Sequence, residues 1–223
     1  MILISWALPI ALSVVTAGMK TNGFKKRLAV LSVAAVVSMG AASVQASAIT
    51  TELKLRGKAT FCLSPEAART LAAQSVTLEA IAPATVSGTC LTMPGTGTLA
   101  SDISGGELLL QGGMRFAGTG HRLGITNMNS HIRIGEGFDT ADVTVDDEPA
   151  KNLTIDRWPV SVSRVAITPT SVTAKDNPVT LTNAAKAAFT KAFGASPTAE
   201  GEPMFIFTAQ AEITNPFGAL PKP

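Results

Sequence analysis

Short stretches in which apolar and polar residues alternate recur along most of the chain. A period of two is typical of a β-strand with one buried face. The first stretch reads ELKLRGKATFC (52–62), and others follow at intervals of roughly 8–12 residues, separated by Gly- or Pro-containing segments. This pattern predicts an all-β fold, either a sandwich or a barrel, in which the strands are mainly antiparallel.

The predicted strands after the first one are 76–81, 84–93, 107–116, 122–127, 130–134, 141–145, 151–156, 160–167, 179–181 and 204–213. Segment 94–97 (PGTG) is interpreted as a turn or loop, and segment 118–120 (GTG) as a hairpin turn. The pair Gly112-Gly113 indicates a bulge or a close approach of two backbones.

Two short helices are predicted among the strands. Ser64 is a suitable N-cap, Pro65 a suitable first helical residue, and the helix is expected to end near Gln74. Its inward residues are expected to be Ala68, Leu71 and Ala72. The second helix is predicted over Asn183–Phe193, capped by Thr182 and ended by Gly194. Its apolar stripe is Ala185, Ala188, Phe189, Ala192 and Phe193.

The N-terminal part has the pattern of a secretory signal peptide. After Met19 come a basic region (20–27) and an apolar region (28–42), followed by small residues at Ala46 and Ala48 that fit the A-x-A cleavage rule. We therefore predict a signal peptide over 19–48 that is cleaved after Ala48, with cleavage after Ala46 as the near alternative.

Residues 1–18 are interpreted as translated from an upstream start codon. The alternative is that the two N-terminal apolar runs are membrane helices, although each is shorter than the roughly 20 residues that a span needs. Residues 49–215 are expected to form a single secreted β-rich domain, and 216–223 a loose Pro-rich tail. No later apolar run is long enough to span a membrane, so we expect no span in the mature chain.

Charge excludes a general affinity of the exported part for nucleic acid. The whole chain has a formal net charge of +2, but four of its 18 basic residues precede residue 49 and none of its 16 acidic residues does. The mature chain therefore has a net charge of −2, which does not favour binding to phosphate backbones. Its location is predicted to be secreted or in the cell envelope.

Cys62 and Cys90 are the only cysteines, and both lie in the exported part. In an oxidising compartment two cysteines most simply form one disulfide, here between two strand-like segments. Two free buried thiols are the alternative.

Several soft motifs together resemble a known family. A Gly-x-Ala-x-Phe strand precedes a Ser-Pro-x-x-Ala-x-x-Leu helix within 57–71, and the Gly-Gly pair lies in a strand-like segment (110–116). The motif Leu-x-Ile-x-Asn follows at 123–127, and a Phe-x-x-x-Phe-Gly helix end at 189–194 precedes the closing strand. Over about 57–213 the chain resembles the secreted actinobacterial β-rich domains that are similar to the HtaA-type haem-transport module.

This resemblance implies a binding module and makes haem a possible cofactor. The HtaA-type module binds haem through a Tyr ligand that is supported by a His. The present chain contains no Tyr, so the resemblance assigns no haem-binding residue here.

His121 and His131 are the candidate cofactor-binding residues. They flank or occupy the predicted strands 122–127 and 130–134. If these strands form a hairpin around Met128-Asn129, the two imidazoles lie near its open end. There they could share a metal or flank haem iron, with Met114 or Met128 as a soft partner. The simpler interpretation is that both histidines are exposed or hydrogen-bonded, and no residue is assigned as a metal ligand.

Other constellations give weaker functional signals. An acidic segment could bind Ca²⁺, but a solvated strand edge or turn is the simpler interpretation of Asp139, Asp142, Asp146, Asp147 and Glu148. Trp158 is interpreted as a core or interface anchor, with a carbohydrate platform as the alternative.

A hydrolase is the remaining enzymatic alternative. The chain has no Gly-x-Ser-x-Gly motif, and the neighbours Ser130 and His131 point to opposite faces of a strand. We therefore expect a non-catalytic β-domain that acts as a binding or structural module, with an unidentified protein or cell-surface partner. A haem or metal carrier is the alternative, and an unrecognised hydrolase the second alternative.

Overall fold

The computed structural model describes residues 50–215. The predicted signal peptide (19–48), the upstream segment (1–18) and the tail (216–223) lie outside the described residues. The described part contains twelve strands and two helices: β1 Glu52–Leu63, α1 Pro65–Ala73, β2 Thr77–Ile81, β3 Thr85–Ser87, β4 Cys90–Ala100, β5 Gly105–Leu110, β6 Gly113–Ala117, β7 Arg122–Arg133, β8 Glu136–Val145, β9 Lys151–Pro159, β10 Val165–Ile167, β11 Ser171–Leu181, α2 Asn183–Phe193 and β12 Pro203–Ile213.

Eight of these strands close into an antiparallel barrel. Their order is β7-β5-β4-β1-β12-β11-β9-β8, and β8 pairs again with β7 to complete the ring. Because the ring is closed, each of the eight strands is paired on both sides. Alternate side chains of each strand point into the interior. β6 and β2 extend the sheet beyond β7, while β3 pairs with β4 and β10 with β11. The predicted all-β fold with two short helices is confirmed.

The main core lies at the end of the barrel that carries the helices. Phe116 packs edge-on against Phe189 of α2, with ring centres 4.8 Å apart. Phe61 of β1 contacts both Phe205 and Phe207 of β12. A second, smaller apolar cluster lies at the opposite end, where β1 begins and β12 ends; its buried members are Leu53, Leu55, Leu99, Val172 and Ile213.

Both helices begin as the sequence predicts. The Ser64 side chain accepts a hydrogen bond from the Ala67 N–H, and the Thr182 side chain accepts one from the Ala185 N–H. The bounds of α2 match the prediction, and Gly194 ends it with a φ of +82°. The inward face predicted for α1 is partly wrong. Ala67 and Leu71 are buried, whereas Ala72 is exposed.

The disulfide between Cys62 and Cys90 is present. The two cysteines lie directly opposite each other on the paired strands β1 and β4. Linking residues that are 28 apart in the sequence stabilises the fold by roughly 3–4 kcal/mol if the effect is mainly on chain entropy.

The turn predicted over 94–97 is wrong, because these residues lie inside β4. β4 is paired on both sides, with β1 and β5. A Cβ at Gly97 would lie 2.0 Å from the carbonyl oxygen of Glu107. These glycines therefore allow neighbouring strands to approach closely rather than making a turn.

Three other predicted strands are divided or shortened in the structure. Segment 84–93 is split by a turn at Gly88, which has a φ of +60°. Segment 107–116 is split at Gly112, where a Cβ would lie 2.4 Å from the Ile81 carbonyl oxygen. The predicted close backbone approach at Gly112 is confirmed, although it separates two strands. Of segment 160–167, only its last three residues form a strand.

Candidate functional site

One part of the barrel interior holds an apolar cavity of about 90 Å³, which we call the chamber. It lies between the smaller apolar cluster and the middle of the barrel. Large aliphatic side chains from six strands line it: Leu55, Leu99, Leu108, Ile132, Val165 and Val172.

Small residues create the chamber. Gly57, Gly95, Ala174, Ala209 and Ala211 line it from strands β1, β4, β11 and β12. In a barrel of eight strands, inward side chains normally fill the interior. Glycine and alanine at these positions fill little of the interior, so the choice of small residues leaves the space open.

The polar residues that line the chamber are Lys58, Thr96, Ser130 and Asn177. Ser130 on β7 and Asn177 on β11 are both buried. The Asn177 side-chain amide donates a hydrogen bond to the Lys175 carbonyl oxygen at 3.3 Å. These groups supply limited hydrogen-bonding capacity to an otherwise apolar surface.

A pair of buried carboxyl groups lies behind Ser130. Ser130 pairs with Asp139 across β7 and β8, and Asp139 pairs with Asp156 across β8 and β9. Asp139 is fully buried and Asp156 is 1% exposed. The Asp139 N–H donates to Asp156 Oδ1 at 3.2 Å, but neither side-chain oxygen of Asp139 has a hydrogen-bond partner within residues 50–215.

The environment of this pair favours the protonated carboxyl groups. Burial raises the pKa of Asp139 to about 7, while the nearby Ser130 hydroxyl and Asp156 oppose the rise. Burial and the neighbouring Asp139 raise the pKa of Asp156 well above its ordinary value. Two carboxylates this close cannot both ionise cheaply in a site without a cation.

Sequence reasoning missed both the buried carboxyl pair and the chamber. The interpretation of Asp139 as part of a solvated strand edge or turn is wrong, because its side chain is fully buried. The signal was available, because Asp139 precedes Ala141, Val143 and Val145 at intervals of two and therefore shares their inward face. The chamber could not be found in this way, since its walls come from strands that are distant in the sequence.

The predicted strands 122–127 and 130–134 do not form a hairpin around Met128-Asn129. Residues 122–133 form one strand, β7, with an irregularity between Thr126 and Asn129. His121 precedes this strand and His131 lies near its far end. Ten residues of extended chain span about 30 Å, so the two imidazoles do not share a site. Whether either histidine binds a cofactor stays a prediction.

Each histidine has local partners. His121 is exposed, and its Nδ1 lies 3.0 Å from Asp146 Oδ2. His131 stacks on Phe138 with ring centres 4.8 Å apart. Its Nε2 lies 3.1 Å from Thr140 Oγ1, and its Nδ1 lies 3.5 Å from Glu107 Oε1.

The remaining candidates have structural roles. Met114 and Met128 are buried in the main core. Among the described residues, no three His, Cys, Asp or Glu side chains are grouped so that they could hold a metal ion. Asp142 accepts hydrogen bonds from the side chains of Asn127 and Asn152.

Trp158 is a core anchor, as predicted. It is 8% exposed and lines the chamber. Its ring covers Gly137 on the neighbouring strand, where a Cβ would lie 2.2 Å from the indole. Because Trp158 is the only tryptophan after residue 48, it can report on the state of the chamber.

Comparison with known proteins identifies the fold. No family model and no curated protein matches the chain. The chain is similar to the crystal structure of the C-terminal domain of HtaA from Corynebacterium glutamicum, with a TM-score of 0.56 and 15% identity, over 72% of this chain and 99% of that one. It is also similar to the N-terminal domain of HtaA, with a TM-score of 0.51 and 11% identity, over 71% and 97% of the two chains.

The resemblance drawn from the soft motifs is thus confirmed as a likeness of fold. In residues 50–215, none of the helices has the length and apolar character that crossing a membrane requires.

Proposed function

We propose that this chain is an exported, non-catalytic binding module of the cell envelope or extracellular space, and that it holds a small apolar molecule in the chamber. The observation that carries the proposal is an apolar space of about 90 Å³ inside a closed barrel. The mouths of β-barrels are common sites for small ligands.

The size and lining of the chamber indicate what it accepts. A water needs about 10–15 Å³ of such space, so the chamber has room for roughly six to nine waters. Water is poorly held where few polar groups can bind it, whereas apolar cavities of comparable size accept apolar ligands. A single aromatic ring or a short alkyl segment suits this space.

The chemistry of the lining supports a non-catalytic role. No Asp, Glu, His or Cys side chain is among the described residues that line the chamber. The polar residues there are Lys58, Thr96, Ser130 and Asn177, and the Asp139 carboxyl that adjoins Ser130 is not part of the chamber lining. Export is supported by the signal-peptide pattern over 19–48 and by the disulfide, which suits an oxidising compartment.

Toluene is a suitable first probe. In the protein lacking residues 1–48, which retains the complete barrel, toluene is expected to raise the unfolding temperature and to change the fluorescence of Trp158. Ala174→Leu fills the chamber from β11, so it is expected to abolish both responses.

Ala166→Leu is the matched control. Ala166 lies on β10, next to the residue that pairs with Ala174, but its side chain is exposed. This variant should respond to toluene as the unsubstituted protein does. Equal responses in the folded Ala174→Leu and Ala166→Leu variants would overturn the chamber as the binding site.

A haem carrier is the second candidate, because the fold is that of HtaA domains and the family resemblance implies haem transport. The described residues do not fit an enclosed haem site. The chain has no Tyr, the chamber is far smaller than a porphyrin, and the two histidines lie far apart. No binding step is therefore assigned to haem.

A haem titration followed by absorbance tests this candidate. His121→Ala and His131→Ala are examined as separate variants, because the structure separates the two residues. A saturating spectral change that only one variant loses would support a haem carrier and locate the ligand. A change no larger than that of a non-specific control protein would rule against it.

A further inference from the structure

Two strongly exposed apolar side chains lie two residues along the chain from residues that line the chamber. Ile134 is 82% exposed and Val162 is 79% exposed. They are the two most exposed of the four large apolar side chains on the surface of the described chain, the others being Val86 and Leu109. Neighbouring exposed apolar side chains that are bordered by polar residues are typical of an interaction surface.

Ile134 and Val162 belong to neighbouring loops. Ile134 lies in the turn between β7 and β8, and Val162 in the loop between β9 and β10. The two loops are joined by a hydrogen bond from the Val160 N–H to the Gly135 carbonyl oxygen, at 3.2 Å. Ile132, which precedes the first loop, and Val160, which begins the second, line the chamber. We call loops 134–135 and 160–164 the rim.

The rim also carries positive charge. Arg133 precedes Ile134, and its guanidinium lies over the Phe138 ring at 5.0 Å. Arg164 follows Val162 by two residues and donates to the backbone carbonyl oxygen of Asp176. Neither arginine forms an ion pair with a carboxylate of residues 50–215, whereas neighbouring Arg157 is paired with Glu136.

Apolar side chains flanked by unneutralised arginines match the surface of an anionic lipid bilayer. Ile and Val enter the boundary between headgroups and acyl chains, while arginine remains among the lipid phosphates. A soluble small ligand inside the chamber would not account for Ile134 and Val162, whose side chains are exposed to solvent.

We propose that the rim docks on an anionic lipid surface through Ile134 and Val162, so that the chamber takes up an apolar molecule, or the end of one alkyl chain, directly from the bilayer. The uptake step rests on the proposed binding function of the chamber. The docking step rests on the rim alone, and the two are tested separately.

Docking is measured by sedimentation with vesicles of phosphatidylcholine containing phosphatidylglycerol, and with vesicles of phosphatidylcholine only. The protein lacking residues 1–48 is expected to bind the anionic vesicles. The double variant I134S/V162S should bind them at least tenfold more weakly. V86S/L109S is the matched control, because it removes the other two exposed apolar side chains, and it should bind as the unsubstituted protein does.

The arginines are tested with R133Q/R164Q. This variant should lose affinity for the anionic vesicles at low salt, and the difference from the unsubstituted protein should shrink as salt screens the charges. All three variants change exposed side chains, and an unchanged unfolding temperature will establish that each is folded.

The outcomes separate the two proposals. If toluene binds the chamber but the vesicles do not bind, docking is overturned and the binding module stands. An equal loss of vesicle binding in I134S/V162S and V86S/L109S also overturns docking at the rim. If vesicles bind but toluene never does, the chamber is overturned as a ligand site. A dimer that I134S/V162S dissociates, without vesicle binding, would assign the rim to a second copy of the chain.

Discussion

At the scale of single residues, burial of the carboxyl pair Asp139–Asp156 lowers the free energy of unfolding when these groups are ionised. An ionised carboxylate without a partner is expensive to bury, and such groups commonly keep their proton instead. Asp139 has no hydrogen-bond partner for either side-chain oxygen among the described residues. The pair therefore reduces stability whenever the pH forces it to ionise.

This pair makes stability depend on pH. Asp139 keeps its proton in the folded state up to a pH of about 7, whereas an unfolded Asp loses it at about 3.9. Between these values the folded state binds more protons, so the free energy of unfolding should fall as pH rises. The expected slope is about 1.4 kcal/mol per pH unit for each proton retained.

Asp139→Asn should flatten this slope, since it removes one titrating group and the charge that raises the pKa of Asp156. At pH 8 the variant should be more stable than the unsubstituted protein by up to about 4 kcal/mol, the free energy that corresponds to moving the pKa of Asp139 from about 3.9 to about 7. Urea unfolding at several pH values between 4 and 8 measures both effects. Asp147→Asn is the control, because that side chain is 90% exposed and should leave the slope unchanged. An unaltered slope in Asp139→Asn would contradict the assignment.

At the scale of elements, Thr182 connects α2 to the barrel. Its hydroxyl oxygen accepts from the Ala185 N–H at 3.2 Å and donates to the Thr154 carbonyl oxygen on β9 at 2.6 Å. Thr182→Ala removes both hydrogen bonds and should cost about 1–2 kcal/mol in urea unfolding. Thr190→Ala, at an exposed position within the same helix, should change stability by less than about 0.5 kcal/mol. Equal effects would show that the cap contributes little.

The helices were predictable because their determinants are local. Ser64, Thr182 and Gly194 each act through groups within a few residues. The strand breaks were less predictable, because a glycine can either end a strand or lie inside one. At Gly88 and Gly112 the backbone needs a positive φ and the strand ends, whereas at Gly97 a neighbouring backbone needs space and the strand continues.

At the scale of the whole molecule, barrel closure depends on pairings that no local pattern specifies. β1 pairs with β12, so that Leu55 lies opposite Ile213. Period two identifies which residues point inward, but not which strands face one another. The chamber is a consequence of closure, since its small residues come from both ends of the chain. Sequence reasoning therefore predicted the fold class and the disulfide, but not the site.

The disulfide and the signal-peptide pattern lead to one prediction about the molecule's maturation. β1 begins at Glu52, only a few residues after the predicted cleavage point, so cleavage after Ala48 leaves the whole barrel intact. When the full chain is expressed in a secreting bacterium, the exported protein should begin at Ile49 and contain no free thiol. Intact-mass spectrometry measures both. Replacing Ala46 and Ala48 by leucine breaks the A-x-A pattern and should leave the chain unprocessed. An unprocessed native chain with reduced cysteines would contradict export and place the barrel in a reducing compartment.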